Sequence, residues 1–291
     1  MILVLGNFAG VFSNLCKLLN WSLLLDKSDT ILFYYANKFK DNQDPTVPPF
    51  ENYEADLSRI FFYKYFDYPN GCNHTSFLQK TRFELTYPKI EKEALPTCLQ
   101  AYPNAYIYTN PKVYFDPNFP EIRKLYAKHL SERLQFTPYM KSFFEDELAM
   151  IQMIQAEGKT VLAVMIRSTV HYPEGCNIQS ILNEIDELQV NYDFILPLTQ
   201  VKPFYNTLLE KYGRKCICLS RNRVDQDQDW WFNTTDDPFE DEFRMAIADV
   251  YLASQCDCIV SGASNMLLGA LFFHATVPFK IYKELETKIT G

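Results

Sequence analysis

The 291-residue chain has no dense run of lysine and arginine, and its formal net charge is −8. Nucleic-acid binding rests on neutralising phosphates with basic side chains, so no nucleic-acid partner is expected. Any anionic ligand must be held by a few local donors and not by a broad positive field. No stretch approaches the roughly 18–20 apolar residues needed to cross a bilayer, so no membrane span is expected. The opening apolar run over residues 1–5 is too short for the core of a signal peptide, and no basic segment precedes it. The expectation is a cytoplasmic protein. There are only four histidines, His74, His129, His171 and His274, and none pairs at metal-ligand spacing. The eight cysteines include two C-x-C pairs but no C-x2-4-C knuckle, so no metal centre is expected and the thiols read as buried and free. G-x-S-x-G, Walker A and G-x-G-x-x-G patterns are all absent, which argues against a serine hydrolase, a P-loop kinase and a standard dinucleotide fingerprint. There is no internal repeat and no low-complexity tract.

What the chain does have is apolar and aromatic material, with 23 Phe and 19 Tyr, enough for a core in each of two modest domains. Residues 1–5 read as a buried strand, 6–10 as a loop, the following leucines as a helix, and 30–35 as a second strand, the opening of a doubly wound α/β unit. Prolines make the region 41–120 irregular. A helix is expected over 121–134. Thr137-Pro138 then starts another, running to Gly158, with Thr as cap and Pro at the first helical position. From there strands are expected at 160–167, 192–196, 215–219, 256–260 and 279–282. Helices are expected at 178–188, 201–212, 239–255 and 266–273. This alternation predicts a parallel sheet, which binds ligands at the carboxyl ends of its strands. The expected fold class is α/β, with residues 1–150 and 151–291 as two domains.

Several residues stand where such a sheet presents chemistry. Arg167 ends the apolar run 161–166 and is followed by Ser168 and Thr169; a guanidinium fork holds phosphate bidentately. The run Ser261-Gly262-Ala263-Ser264-Asn265 follows a strand and opens a helix, where small residues admit a close ligand and helix N–H groups attract an anion. The same run also suits a plain N-cap by Ser264. Asp249 lies in the preceding helix with Glu242 and Met245 on a face offset from the apolar stripe of Phe243, Ile247, Val250 and Tyr251. On local grounds that face reads as solvated, although a carboxylate there suits a base or ribose. In the opening loop, Gly6 and Gly10 flank Phe8, and Asn7 and Asn14 are amides suited to contacting a sugar. Asp225, Asp227 and Asp229 form overlapping D-x-D triplets, a pattern that can hold a metal bridging a diphosphate. They sit within a polar loop and read as solvated. His171 follows Arg167 closely.

The second half resembles the donor-binding domain of the fucosyltransferase-like glycosyltransferases of GT-B architecture, a group that includes the α1,6-, rhizobial nodulation and protein O-fucosyltransferases. Their strand ending in roughly H-x-R-x-T-D is matched by Met165-Ile166-Arg167-Ser168-Thr169-Val170, in the Arg and the Thr. Their acidic helix, apolar strand and Ser-rich turn are matched by Asp249 onward and by residues 261–265. Gly6-Asn7-Phe8-Ala9-Gly10-Val11-Phe12-Ser13-Asn14 is similar to their Gly/Asn-rich first loop. The resemblance implies two Rossmann-like domains facing a cleft and no cofactor beyond a GDP-sugar co-substrate. It implies a glycan or other hydroxyl acceptor. It places Arg167 and Thr169 at the donor diphosphate, Asp249 near the nucleoside, and Gly262, Ala263, Ser264 and Asn265 near the phosphates. Gly6, Asn7, Phe8 and Asn14 fall on the acceptor side of the cleft. The reaction expected is sugar transfer, inverting and metal-independent, with Arg167 stabilising the leaving group and His171 the candidate base. The competing readings are a metal-dependent GT-A transferase using Asp225 and Asp227, and a sugar- or nucleotide-binding module without catalysis.

Overall fold

The computed structural model describes residues 2–7, 12, 23, 30–35, 66–67, 95–101, 111–167, 178–225 and 239–282. Strand β1 (Ile2–Asn7) pairs in parallel with β2 (Thr30–Tyr35), Asn7 lying opposite Tyr35. A parallel pair needs a crossover connection, as the strand–loop–helix–strand reading of the opening requires. The short β3 (Phe66–Asp67) pairs antiparallel with β4 (Gln135–Phe136).

The main sheet has four parallel strands in the order β6-β5-β7-β8, where β5 is Val161–Ile166, β6 Phe194–Thr199, β7 Cys258–Ser261 and β8 Phe279–Ile281. All six residues of β5 are buried. A strand covered on both faces has no polar side to alternate with, which is why 161–166 is apolar throughout.

Helices α3 (Ile178–Leu188) and α4 (Lys202–Tyr212) follow β5 and β6, and Tyr212 donates a 3.0 Å hydrogen bond to Asp186 between them. Helices α1 (Phe119–Arg133), α2 (Pro138–Ala156), α5 (Phe239–Ser254) and α6 (Asn265–Phe273) form a second packed group, α1 on α6, α6 on α5 and α5 on α2. Right-handed crossovers place α3 and α4 on one face of the sheet and α5 and α6 on the other. On the α5 side, Phe136, Phe144, Tyr251 and Phe273 make an aromatic cluster with ring centroids 4.8–5.5 Å apart. The Arg123 guanidinium ties α1 to the segment after α6, donating to the carbonyls of His274 (3.1 Å) and Val277 (2.7 Å).

The local signals act as read. Thr137 Oγ1 accepts from the Met140 N–H and Pro138 opens α2. Gly213, at φ +52°, ends α4. Two expectations fail. Residues 215–219 are not a strand: Gly213–Lys215 is a 3-10 turn, and Cys216 makes a single parallel bridge to Ile195. Pairing with β6 stops after the Ile217 N–H bonds the Ile195 carbonyl (2.8 Å), and the Arg223 guanidinium takes up the carbonyls of Leu219 and Arg221 beyond it. The thiols are also less buried than expected. The described cysteines are free, but only Cys256 and Cys258 are buried; Cys98 and Cys216 are half-buried and Cys218 is exposed. Helix α2 runs continuously past residues 150 and 151, and one hydrophobic cluster of buried residues runs from Phe12 through both helix groups to Tyr282. No described helix is long and apolar enough to cross a membrane.

Candidate functional site

From β5 the chain passes to β6 on one side and later to β7 on the other, so the order of strands reverses at β5. Ligands of open α/β sheets bind outside the carboxyl ends of the strands at such a reversal. Met165 is paired with Ser261 across β5 and β7. Adjacent strands lie about 4.8 Å apart, so Arg167 and the Gly262-Ala263 turn leave the sheet side by side. Arg167 is half-buried; Ser261, Ser264 and Asn265 are buried. The structure thus brings together Arg167, Gly262, Ala263, Ser264 and Asn265, five of the residues picked out by sequence.

This edge is held rigidly. Tyr282 donates its hydroxyl to the Met165 carbonyl (2.8 Å) and its N–H to the Ser261 carbonyl (3.2 Å), bolting the ends of β5 and β7 together. The Ser264 hydroxyl accepts from the Leu267 N–H at 3.2 Å and so caps α6, while its carbonyl accepts from the Tyr114 hydroxyl at 2.7 Å. The cap serves the helix, and it leaves α6 with its positive dipole end at the crevice.

Asp249 does not lie on a solvated face. The side of α5 that carries it is packed between the sheet, α2 and α6, and both Met245 and Asp249 are buried. Its carboxylate is 3.6 Å from Arg221 Nε, and Arg221 Nη1 is 2.6 Å from Glu147 Oε1 on α2. Burial pushes the Asp249 carboxyl up to about 6; Arg221 and Arg223 pull it down less strongly, and Glu147 adds to the rise. The guanidiniums of Arg221 and Arg244 lie 4.8 and 4.2 Å from the Phe143 ring, and that of Arg223 lies 3.5 Å from the Tyr205 ring. Arg221 Nη2 and Glu147 Oε2 are buried without a hydrogen-bond partner. This is a second, desolvated cluster of charge on the β6 side of the crevice, because Arg221 and Arg223 precede the bridge between Val224 and Val201. Arg221, Arg223, Arg244 and Glu147 were not picked out from the sequence. The available signal was Arg-x-Arg following an apolar run, at the same carboxyl edge as Arg167.

Thr169, His171, Phe8, Asn14 and Asp227 lie outside the described residues. Gly6 and Asn7 form the carboxyl end of β1. Asp225 is exposed and pairs with Lys202 at 2.8 Å. Among the described residues no three His, Cys, Asp or Glu side chains come together to hold a metal ion.

No family model and no curated protein matches the chain. Solved structures do. NodZ α-1,6-fucosyltransferase co-crystallised with GDP superposes at a TM-score of 0.54 with 11% sequence identity, over 94% of this chain and 92% of that one. The same enzyme soaked with GDP-fucose gives 0.52 and 12% over the same shares of the two chains. Fucosyltransferase NodZ from Bradyrhizobium gives 0.53 and 11%, again over 94% and 92%. The likeness is therefore one of backbone architecture over nearly the whole length of both chains, and the protein has a fucosyltransferase-like α/β fold.

Proposed function

We propose that the protein is a glycosyltransferase that moves a sugar, fucose favoured, from a GDP-sugar to a hydroxyl of a glycan or other acceptor, with inversion and without a metal. The observation that carries this reading is the juxtaposition of Arg167 with the 262–265 turn at the point where the strand order reverses. A fold shared with an enzyme crystallised with GDP and soaked with GDP-fucose supports it. In this reading β1, β2 and the opening loop form the acceptor-side domain, and the four-stranded sheet the donor-side domain.

In the reaction the bond between the sugar C1 and the diphosphate oxygen breaks as the acceptor oxygen bonds to C1. The acceptor proton passes to a base, for which His171 is the candidate. Negative charge develops on the leaving GDP. Arg167 and the N-terminus of α6 are placed to stabilise it, and fixed donors in a partly desolvated site do so without having to reorganise. Closure of two domains over the donor would keep out the water that otherwise hydrolyses it.

The test is thermal unfolding with GDP, UDP, CMP and dTDP, with and without EDTA, in the wild type and Arg167→Ala. A ligand at 100 times its Kd adds about 2.7 kcal/mol. The expected result is stabilisation by GDP that survives EDTA and is lost in Arg167→Ala. No shift with any nucleotide would sink the donor-site assignment. A second reading, a nucleotide-binding module without turnover, is favoured by Met165 and Val170 standing where the family has His and Asp. GDP binding with no sugar transfer over a broad acceptor panel would select it.

A further inference from the structure

Two buried tyrosines fasten the points from which Arg167 and α6 start. Tyr282 follows β8, which β7 separates from β5, so β8 and β5 lie two strand spacings or about 10 Å apart. The Tyr282 side chain crosses the end of β7 to donate to the Met165 carbonyl at 2.8 Å, while its N–H donates to the Ser261 carbonyl at 3.2 Å. Met165 stands two residues before Arg167 and Ser261 one residue before the turn, so this one residue sets the gap between them. Tyr114 donates to the Ser264 carbonyl at 2.7 Å. Its ring is seated against Phe119 of α1 and Phe279 of β8, with centroids 5.4 and 5.8 Å away. In a trans peptide the next N–H is antiparallel to the carbonyl, so the Asn265 N–H points away from Tyr114 and out of the start of α6. The guanidinium and the helix start carry charge of the same sign and repel each other when no anion lies between them. The two hydroxyls bond to carbonyls and bring no charge, so they hold this edge together without neutralising it.

We propose that Tyr282 and Tyr114 are positioning residues, which hold Arg167 and the start of α6 at the separation that the terminal phosphate of the donor bridges. This rests on the glycosyltransferase reading above. The bond broken in that reaction joins the sugar to the terminal phosphate, so the charge develops there, and both donors must meet that one group. Neither tyrosine touches the ligand. Each acts through a main-chain carbonyl.

The test uses the full chain as wild type, Tyr282→Phe, Tyr114→Phe and Tyr212→Phe, with Kd for GDP and for GMP by calorimetry and Tm for each. Tyr212→Phe is the control, since it removes a hydroxyl bond to Asp186 where α4 ends, at the amino edge of the sheet. The wild type should bind GDP about tenfold or more tightly than GMP. In Tyr282→Phe and in Tyr114→Phe, GDP should weaken about tenfold, the worth of one hydrogen bond to a charged group. GMP, which lacks the terminal phosphate, should weaken by less than about threefold. A purely structural bond would lower Tm and leave the ratio of the two affinities unchanged. An unchanged ratio in either folded variant, or a change as large in Tyr212→Phe, overturns the proposal. Should Tyr282→Phe not fold, Tyr114→Phe decides by the same ratio. A wild type that binds GDP and GMP alike also overturns it, and leaves the transferase reading standing. A wild type that binds neither refutes that reading, and the proposal with it.

Discussion

Replacing Asp249 with Asn should make the protein more stable at neutral pH and less able to bind nucleotide. The Asp249 side chain is 8% exposed, and burial raises its carboxyl from the ordinary 3.8 to about 6 in spite of Arg221 and Arg223. At about 1.4 kcal/mol for each pH unit, the ionised form is held at a cost of about 3 kcal/mol. The sign follows from the folded value lying above the unfolded one. The folded state binds this proton more tightly, so the contribution is intact below pH 3.8 and is lost as pH rises through about 6. Asn keeps the shape of the neutral carboxyl and carries no charge, and Arg221 retains Glu147 at 2.6 Å as its counter-ion. Asp249→Asn should therefore match the wild type near pH 4 and exceed it by up to about 3 kcal/mol at pH 7.5, or roughly 5–10 °C in Tm. Urea unfolding at pH 4.5, 6 and 7.5, with both proteins measured together, reads this directly. Parallel pH profiles, or a variant clearly less stable at pH 7.5, would refute the reasoning and make the Arg221 contact a net stabiliser. Weaker GDP binding by the more stable variant would mark a carboxylate kept ionised for use, since functional sites commonly hold such groups at the expense of stability.

Two further outcomes follow from the same edge of the sheet. Arg221→Met should cost about 3–5 kcal/mol in urea unfolding, because it removes the cation nearest to both Glu147 and Asp249 from a buried cluster. Ser264→Ala should cost about 1 kcal/mol in thermal unfolding by removing the cap of α6, with GDP affinity changed by less than about threefold, because the hydroxyl is engaged by the Leu267 N–H.

Elements whose signals are local were legible in the sequence. The apolar run 161–166, Thr137-Pro138, Gly213 and the Ser264 cap each act through neighbours a few residues away, and each does in the structure what its pattern suggests. That Arg167 and the 262–265 turn leave the sheet side by side was legible because strand alternation implies a parallel sheet, whose strands end along one edge. What periodicity could not supply was the partner of Asp249. Its face of α5 contains Met245 and looks partly polar, but that face is covered by α2, and the neutralising charge comes from Arg221, 28 positions upstream. Residues 215–219 misled for the converse reason. Their apolar run suits a strand, but pairing with β6 stops after Ile217, and the Arg223 guanidinium takes up the carbonyls of Leu219 and Arg221.

The continuity of α2 through residues 138–156 bears on how the chain can be cut. A fragment beginning at residue 151 would keep Ile151 and discard Met140 and Phe144, which are buried on the same helix. It would also lose Tyr126, whose ring lies 4.4 Å from that of Phe272, and Tyr114, whose hydroxyl holds the Ser264 carbonyl. The inheritable unit of the four-stranded sheet therefore reaches back past residue 114. A recombinant or shuffled gene joined upstream of that point should carry the sheet and its wrapping helices as one piece, whereas a junction at the midpoint would separate a core from its own lid of aromatics.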